Sequence, residues 1–219
     1  MNNREENLAA IALIAHAIGD LNDDAVFVGG ATVGLYTDSE SEDSRPTKDV
    51  DFFLEITTAH ELETVREKLT ERGFTQSAED LVLCRFRYSD IKVDVMSTKA
   101  VGWAPANVWF AEGLPFAFKE KVSSNLYVQL LPLPYLLASK FAAFADRGND
   151  PRTSHDMEDI IYILAGNNTW ENEITEAPEN VRQYLQQQLA ALTPETMLAH
   201  LADSEIALLL KERIEKFLQ

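Results

Sequence analysis

Thr47-Lys48-Asp49-Val50-Asp51-Phe52-Phe53-Leu54-Glu55-Ile56, residues 47–56, is the stretch from which the rest of the chain is best read. Its β-branched and aromatic run predicts a strand over 49–56. Successive side chains on a strand point to opposite faces, so Asp49 and Asp51 project together while Val50, Phe52 and Leu54 enter the core. Two carboxylates at a strand's start repel each other and gain nothing from packing. A divalent cation relieves that repulsion, and Mg²⁺ favours one or two carboxylates together with substrate phosphates. A calcium loop is excluded, because it needs alternating polar ligands and a central Gly where Val50 and Phe52 stand. The plainer reading is a solvent-facing strand edge that carries two acids by chance.

Two flanking segments bear on that choice. In Ile91-Lys92-Val93-Asp94-Val95 the alternation turns Ile91, Val93 and Val95 inward and Lys92, Asp94 and Met96 the other way. Asp94 on a neighbouring strand can then meet Asp49 and Asp51 across the sheet, which allows two cations, or one cation and a general base. Upstream, AVFVGG (25–30) is a short buried strand ending in Gly29-Gly30 ahead of a helical reading at 31–36. Such a junction leaves backbone N–H groups free and lets a phosphate approach closely. It is neither a dinucleotide fingerprint, lacking the third glycine, nor a Walker loop, lacking Gly-Lys-Ser/Thr. By itself Gly-Gly is a tight turn, and Asp94 by itself an exposed strand residue.

The remaining elements follow from periodicity and caps. Residues 5–18 are apolar at helical spacing and stop at Gly19. Residues 38–48 form a polar loop. Thr58 with Glu61 makes a capping box for a helix through Arg72, closed by Gly73, with Leu62, Val65 and Leu69 on one face. Strands at 81–88 and 91–97 pair as a hairpin around Ser89-Asp90, with Cys84 as a packed strand residue. Residues 98–133, with Trp103, Trp109 and several prolines, are expected to wrap the sheet edge. Helices follow at 134–146, 154–165, 179–192 and 204–218. The expected fold is α+β: a small mixed β-sheet with flanking helices in a core over 1–130, and a helical C-terminal region over 131–219.

Composition sets the limits on function. The chain has 219 residues, with 46% hydrophobic and 25% charged, which is ordinary for a globular protein. Lys plus Arg is 19 and Asp plus Glu is 36, so the net charge is 19 − 36 = −17. A field of that sign opposes general DNA binding through phosphate neutralisation. The single Cys84 excludes an intramolecular disulfide and a Cys-based zinc site. No apolar run reaches the roughly 20 residues of a membrane span, and MNNREENLAA has acids where a signal peptide is basic. These features point to a cytoplasmic protein without a membrane partner.

FVGGATVGLY (27–36), TKDVDFFLEI (47–56) and KVDVMS (92–97) together resemble the nucleotidyltransferase superfamily, the polymerase-β-like fold. The resemblance is closest to the AbiEii branch, which includes MenT-type toxins of toxin–antitoxin systems. That branch also carries a Lys in a later helix, then Arg and an Asp-x-x-Asp helix start; here these match Lys140 in LLASKFAAFADR, Arg147, and Asp156 and Asp159 in HDMEDIIYIL. The resemblance covers about residues 25–165 and implies the following roles. Gly29 and Gly30 hold the triphosphate of an NTP, aided by Thr47, two before the first Asp. Asp49, Asp51 and Asp94 form the metal site for Mg²⁺ or Mn²⁺, with Asp94 also activating the acceptor hydroxyl. Lys140 contacts phosphate, and Asp156 or Asp159 orients it or the nucleotide. The implied reaction moves an NMP onto an acceptor hydroxyl of an RNA end, a protein or a small molecule, and the implied partner is a cognate antitoxin.

Several residues also have plainer readings. Lys140, within an apolar helix, can snorkel to solvent. Asp156 and Asp159 follow Ser154 at a helix start, where the dipole favours acids. The gap from Gly30 to Asp49 is 49 − 30 = 19 positions, and residues 38–51 hold six acids and two bases. That acidic balance suits a cationic small-molecule acceptor, as in antibiotic-inactivating transferases. A glycosyltransferase could use Asp-Val-Asp to bind its metal, but it has no need of Gly29-Gly30 or Asp94. A non-catalytic nucleotide-binding module could also be built on the same fold.

Overall fold

The computed structural model describes residues 2–38 and 44–219, so the acidic part of the 38–48 loop, residues 39–43, lies outside the described residues. The chain divides into two compact units. One runs to Thr32 and resumes at Arg45–Pro132; the other takes Val33–Asp38, Ser44 and Leu133–Gln219.

The first unit is built on a six-stranded mixed sheet. Its strands are β1 (Val26–Val28), β2 (Asp49–Leu54), β3 (Arg85–Tyr88), β4 (Ile91–Ser97), β5 (Phe118–Ser123) and β6 (Leu126–Leu130), in the order β3-β4-β2-β1-β6-β5. β2 runs parallel to β4, and β1 parallel to β6; the other neighbours are antiparallel. The parallel β2–β4 pair requires a crossover, which α2 (Ala59–Glu71) supplies. The Thr58 hydroxyl accepts the Glu61 N–H at 3.2 Å, and the Glu61 carboxylate accepts the Thr58 N–H at 3.2 Å, the expected capping box. Leu62, Val65 and Leu69 are buried along the predicted face. α1 (Asn3–Ala17) begins on a second capping box, Asn2 with Glu5, and gives way near Gly19, whose φ of +60° suits glycine.

The alternation on β2 holds. Val50, Phe52 and Leu54 are buried, while Asp49 and Asp51 are partly exposed on the other face. That second face is polar only at the strand's start. Phe53 on the same side is fully buried and stacks on Phe110 with ring centroids 4.4 Å apart. On β4, Val93 and Val95 are buried and Ile91, at the turn, is only partly so.

Three expectations about elements need correction. β3 starts at Arg85, not at 81: Arg85 N–H bonds the Val82 carbonyl at 3.2 Å in a turn that takes the preceding residues off the ladder. Leu81 and Leu83 are consequently 99% and 71% exposed, and Cys84 sits in the turn, buried but outside the strand. Residues 98–133 do not merely wrap the edge. They form α3 (Val108–Gly113), a short 3-10 helix (Leu114–Phe116) and the β5–β6 hairpin, which extends the sheet beyond β1. Finally, the helical reading at 31–36 is a 3-10 helix over Gly30–Tyr36.

The second unit is helical: α4 (Leu133–Arg147), α5 (His155–Gly166), α6 (Trp170–Glu176), α7 (Glu179–Ala190), α8 (Pro194–His200) and α9 (Ser204–Phe217). The sequence does not predict α6 and α8; at seven residues each they are too short to show a helical period. Its core includes Leu136, Leu137, Phe141, Ile160, Ile163 and Trp170. No helix among the described residues is long and apolar enough to cross a membrane.

Candidate active site

In the sheet unit the site is assembled by strand register. Val28, the last residue of β1, pairs with Asp51 of β2, so the chain leaves β1 directly beside the Asp51 side chain. Gly29 follows with φ +79°, and a Cβ there would lie 1.8 Å from Asp51 Oδ2. Both the left-handed backbone and the carboxylate against it demand glycine. Thr32 Oγ1 donates to the Gly29 carbonyl at 3.0 Å and pins the turn, and Gly30 opens the 3-10 helix.

Across β2 and β4, Asp51 pairs with Asp94 and Asp49 with Lys92; across β4 and β3, Asp94 pairs with Arg85 and Lys92 with Arg87. Paired residues share a face. One row therefore reads Asp51, Asp94, Arg85, and the next Asp49, Lys92, Arg87. The three aspartates anticipated from alternation thus stand on one face of adjoining strands.

Arg85 is the member of this set that sequence reasoning missed. Its Nε donates to Asp94 Oδ1 at 2.8 Å and its Nη2 to Oδ2 at 2.7 Å, while Nη2 stands 4.0 Å from Asp49 Oδ2. The two side chains are 18% and 16% exposed, so water screens the pair weakly. The hydrogen bonds to Asp94 hold the guanidinium even more firmly protonated than usual. A signal was available, because counting outward from the Ser89–Asp90 turn puts residue 85 opposite residue 94. Next to it, Arg87 forms a bidentate pair with Asp80, both contacts at 2.9 Å, which holds the Asp80 carboxyl below its ordinary range. Burial, with Asp94 nearby, pushes the Cys84 thiol up to about 11 and leaves it protonated and unreactive at neutral pH.

The entry to β2 is held by two further residues. Thr47 Oγ1 accepts the Asp49 N–H at 3.3 Å and lies 3.2 Å from the Asp49 carbonyl. Buried Asn7, on α1, accepts the Thr47 N–H at 3.2 Å and donates to the Arg45 carbonyl at 3.1 Å, splinting the segment before Asp49. Among the described residues, no three His, Cys, Asp or Glu side chains stand together in a metal-holding group. Both oxygens of Asp94 are engaged by Arg85, and Asp49 and Asp51 are the other two carboxylates on this face. Oxygen donors at the mouth of an open glycine turn fit Mg²⁺, which completes its shell with phosphate oxygens and water.

In the helical unit, Lys140 does not snorkel. It is 5% exposed, and its Nζ donates to Asp159 Oδ2 at 2.6 Å. Asp159 is 3% exposed, so this is a buried ion pair between α4 and α5. Asp156, also buried, pairs with Arg147 at the end of α4. Ser154 caps α5 by accepting the Met157 N–H, and the i, i+3 spacing then puts Asp156 and Asp159 on one side of its first turn. His155 is exposed and pairs with Glu158. The tryptophans of the sheet unit serve packing: Trp103 bonds Glu63 and meets Phe86 edge-on, and Trp109 is buried. Gly29, Gly30, Thr47, Asp49, Asp51 and Asp94 therefore gather at neighbouring strand ends of one unit, and Lys140, Asp156 and Asp159 within the other.

The chain is similar to known proteins in its fold and in its sequence family. A crystal structure of an antigenic nucleotidyltransferase-like protein from Paracoccidioides brasiliensis matches with a TM-score of 0.51 over 92% of this chain and 96% of that one. At 17% identity that likeness is one of fold. No curated protein matches the chain. The family described as nucleotidyl transferase AbiEii toxin, type IV toxin–antitoxin system, matches residues 12–219. A match over nearly the whole length assigns the chain: it belongs to the AbiEii nucleotidyltransferase toxin family.

Proposed function

We propose that this protein is a Mg²⁺-dependent nucleotidyltransferase that moves an NMP from an NTP to an acceptor hydroxyl, and that it acts as the toxin partner of a cognate antitoxin. The observation that carries this reading is the row in which Asp51 and Asp94 are register partners, with Asp49 on the same face and Gly29 pressed against the Asp51 carboxylate. Family membership sets the reaction class; the roles of the individual residues are our assignment.

Asp49 and Asp51 would hold the ion, Mg²⁺ or Mn²⁺, which when bound offsets charge on the attacking and leaving oxygens. The bare backbone at Gly29 and Gly30 lets the triphosphate approach without a side chain in the way. Thr47, bound to both backbone polar groups of Asp49, keeps the first carboxylate in place beside it. Asp94 accepts the proton of the acceptor O–H at a carboxylate oxygen. The acceptor oxygen then bonds the α-phosphorus in line, the bond to the bridging oxygen breaks, and pyrophosphate leaves. In the helical unit, the Lys140–Asp159 and Arg147–Asp156 pairs hold the first turn of α5 against α4.

The test incubates purified protein with Mg²⁺, each α-labelled NTP, and separate pools of RNA, protein and small metabolites. The Asp49→Ala/Asp51→Ala variant runs beside it. Transfer by the wild type alone supports the assignment, and the labelled pool identifies the acceptor class. Both side chains lie outside the packed core, so the variant should melt like the wild type. Wild-type protein that neither transfers label nor binds any NTP in the presence of the metal overturns the reading.

A further inference from the structure

The carboxylate row already contains a cation supplied by the chain. Arg85 grips both oxygens of Asp94 in a planar fork, the strongest form of a carboxylate hydrogen-bonded pair, and reaches to 4.0 Å from Asp49. Resting on the reading of Asp49 and Asp51 as the metal-holding pair, we propose that Arg85 and the divalent cation compete for the same carboxylates. In the unloaded protein, Arg85 offsets part of the row's charge and keeps both oxygens of Asp94 occupied. Metal entry drives the guanidinium off and releases Asp94 for the acceptor hydroxyl.

Two features support this. A divalent ion held by Asp49 would stand within a few ångströms of Nη2, and like charges at that range repel strongly where Arg85 and Asp94 are both four-fifths or more removed from water. No three carboxylates among the described residues converge into a metal-holding group, as expected if Arg85 holds the third one aside. Arg85 is thus a positioning residue, and its pairing with Asp94 is a latch opposed by the metal.

Mn²⁺ titration of the full-length protein without nucleotide, read by electron paramagnetic resonance, tests the latch. Arg85→Gln removes the charge and should lower the Kd for Mn²⁺ at least tenfold relative to wild type. Arg85→Lys keeps the charge but loses the fork, and should fall between the two. A salt bridge with only a structural role would lower the melting temperature in EDTA without tightening Mn²⁺ binding. Equal or weaker Mn²⁺ binding by both variants, with binding abolished in Asp49→Ala, overturns the latch and leaves the metal site standing. Absence of Mn²⁺ binding in the wild type overturns the metal site and the latch together. If Arg85→Gln does not fold, the comparison of Arg85→Lys with wild type decides by the same criterion.

Discussion

Gly29 is the residue where fold and site are hardest to separate. Its φ of +79° costs any L side chain about 1–2 kcal/mol, and an added Cβ would fall 1.8 Å from Asp51 Oδ2. Something must move, and the soft element is the Asp51 carboxylate. Gly29→Ala should therefore lower unfolding stability in urea by about 1–3 kcal/mol, the range for a strained backbone position. It should also weaken metal binding more than that modest loss explains. Unchanged Mn²⁺ affinity in a folded Gly29→Ala protein would separate the glycine from the site. Sequence showed that two glycines ended a strand; it did not show that only the first needs a left-handed backbone, because that depends on where Asp51 lies across the β1–β2 pair.

Between elements, the Lys140–Asp159 pair ties α4 to α5 at a distance of 2.6 Å with both side chains almost fully buried. Removing one partner of such a pair leaves an uncompensated buried charge and costs about 3–5 kcal/mol, whereas replacing both by apolar groups is often close to neutral. Lys140→Met should therefore be strongly destabilised, and Lys140→Met/Asp159→Leu should recover most of the loss in a denaturant melt. Full transfer by the stable double variant would show that the pair is a packing device. Elements with chemical punctuation were legible beforehand: α2 by its Thr58–Glu61 box, α5 by Ser154, β2 and β4 by alternation. The β5–β6 hairpin was not, because Phe118–Ser123 is an edge strand with no fully buried residue and shows little of the apolar alternation that marks a half-buried strand. Leu81–Leu83 misled in the opposite sense, being apolar, β-prone and yet exposed, because no neighbouring strand pairs with them. Arg85 was legible only through the hairpin register, and attention to the aspartates alone passed over it.

At the scale of the whole chain, sequence suggested a division near residue 130, but no local pattern reveals that residues 33–38 and Ser44 group with the helices that follow Pro132. Those contacts join residues about 130 positions apart, so neither periodicity nor capping encodes them. Within the helical unit, Asp38 N–H donates to the Gly166 carbonyl at 2.9 Å, Asn167 Nδ2 to the Tyr36 carbonyl at 2.9 Å, and Asn168 N–H to Asp38 Oδ2 at 2.8 Å. Asn167 and Tyr36 are each 7% exposed, so loss of the segment would uncover buried polar groups at the end of α5. Each group left without a partner costs about 1–3 kcal/mol unless water replaces it. A fragment of residues 133–219 should therefore unfold at lower denaturant concentration, and less cooperatively, than the helical unit does within the full chain. Adding a synthetic peptide of residues 33–44 should shift its midpoint back upward in a concentration-dependent way, as binding to the folded state requires. An Asn167→Ala fragment, which cannot bond the Tyr36 carbonyl, should respond less to the same peptide. A fragment that is fully cooperative alone and indifferent to the peptide would mean that the crossing segment contributes nothing to the helical unit, and that the chain can be divided at Pro132 without loss.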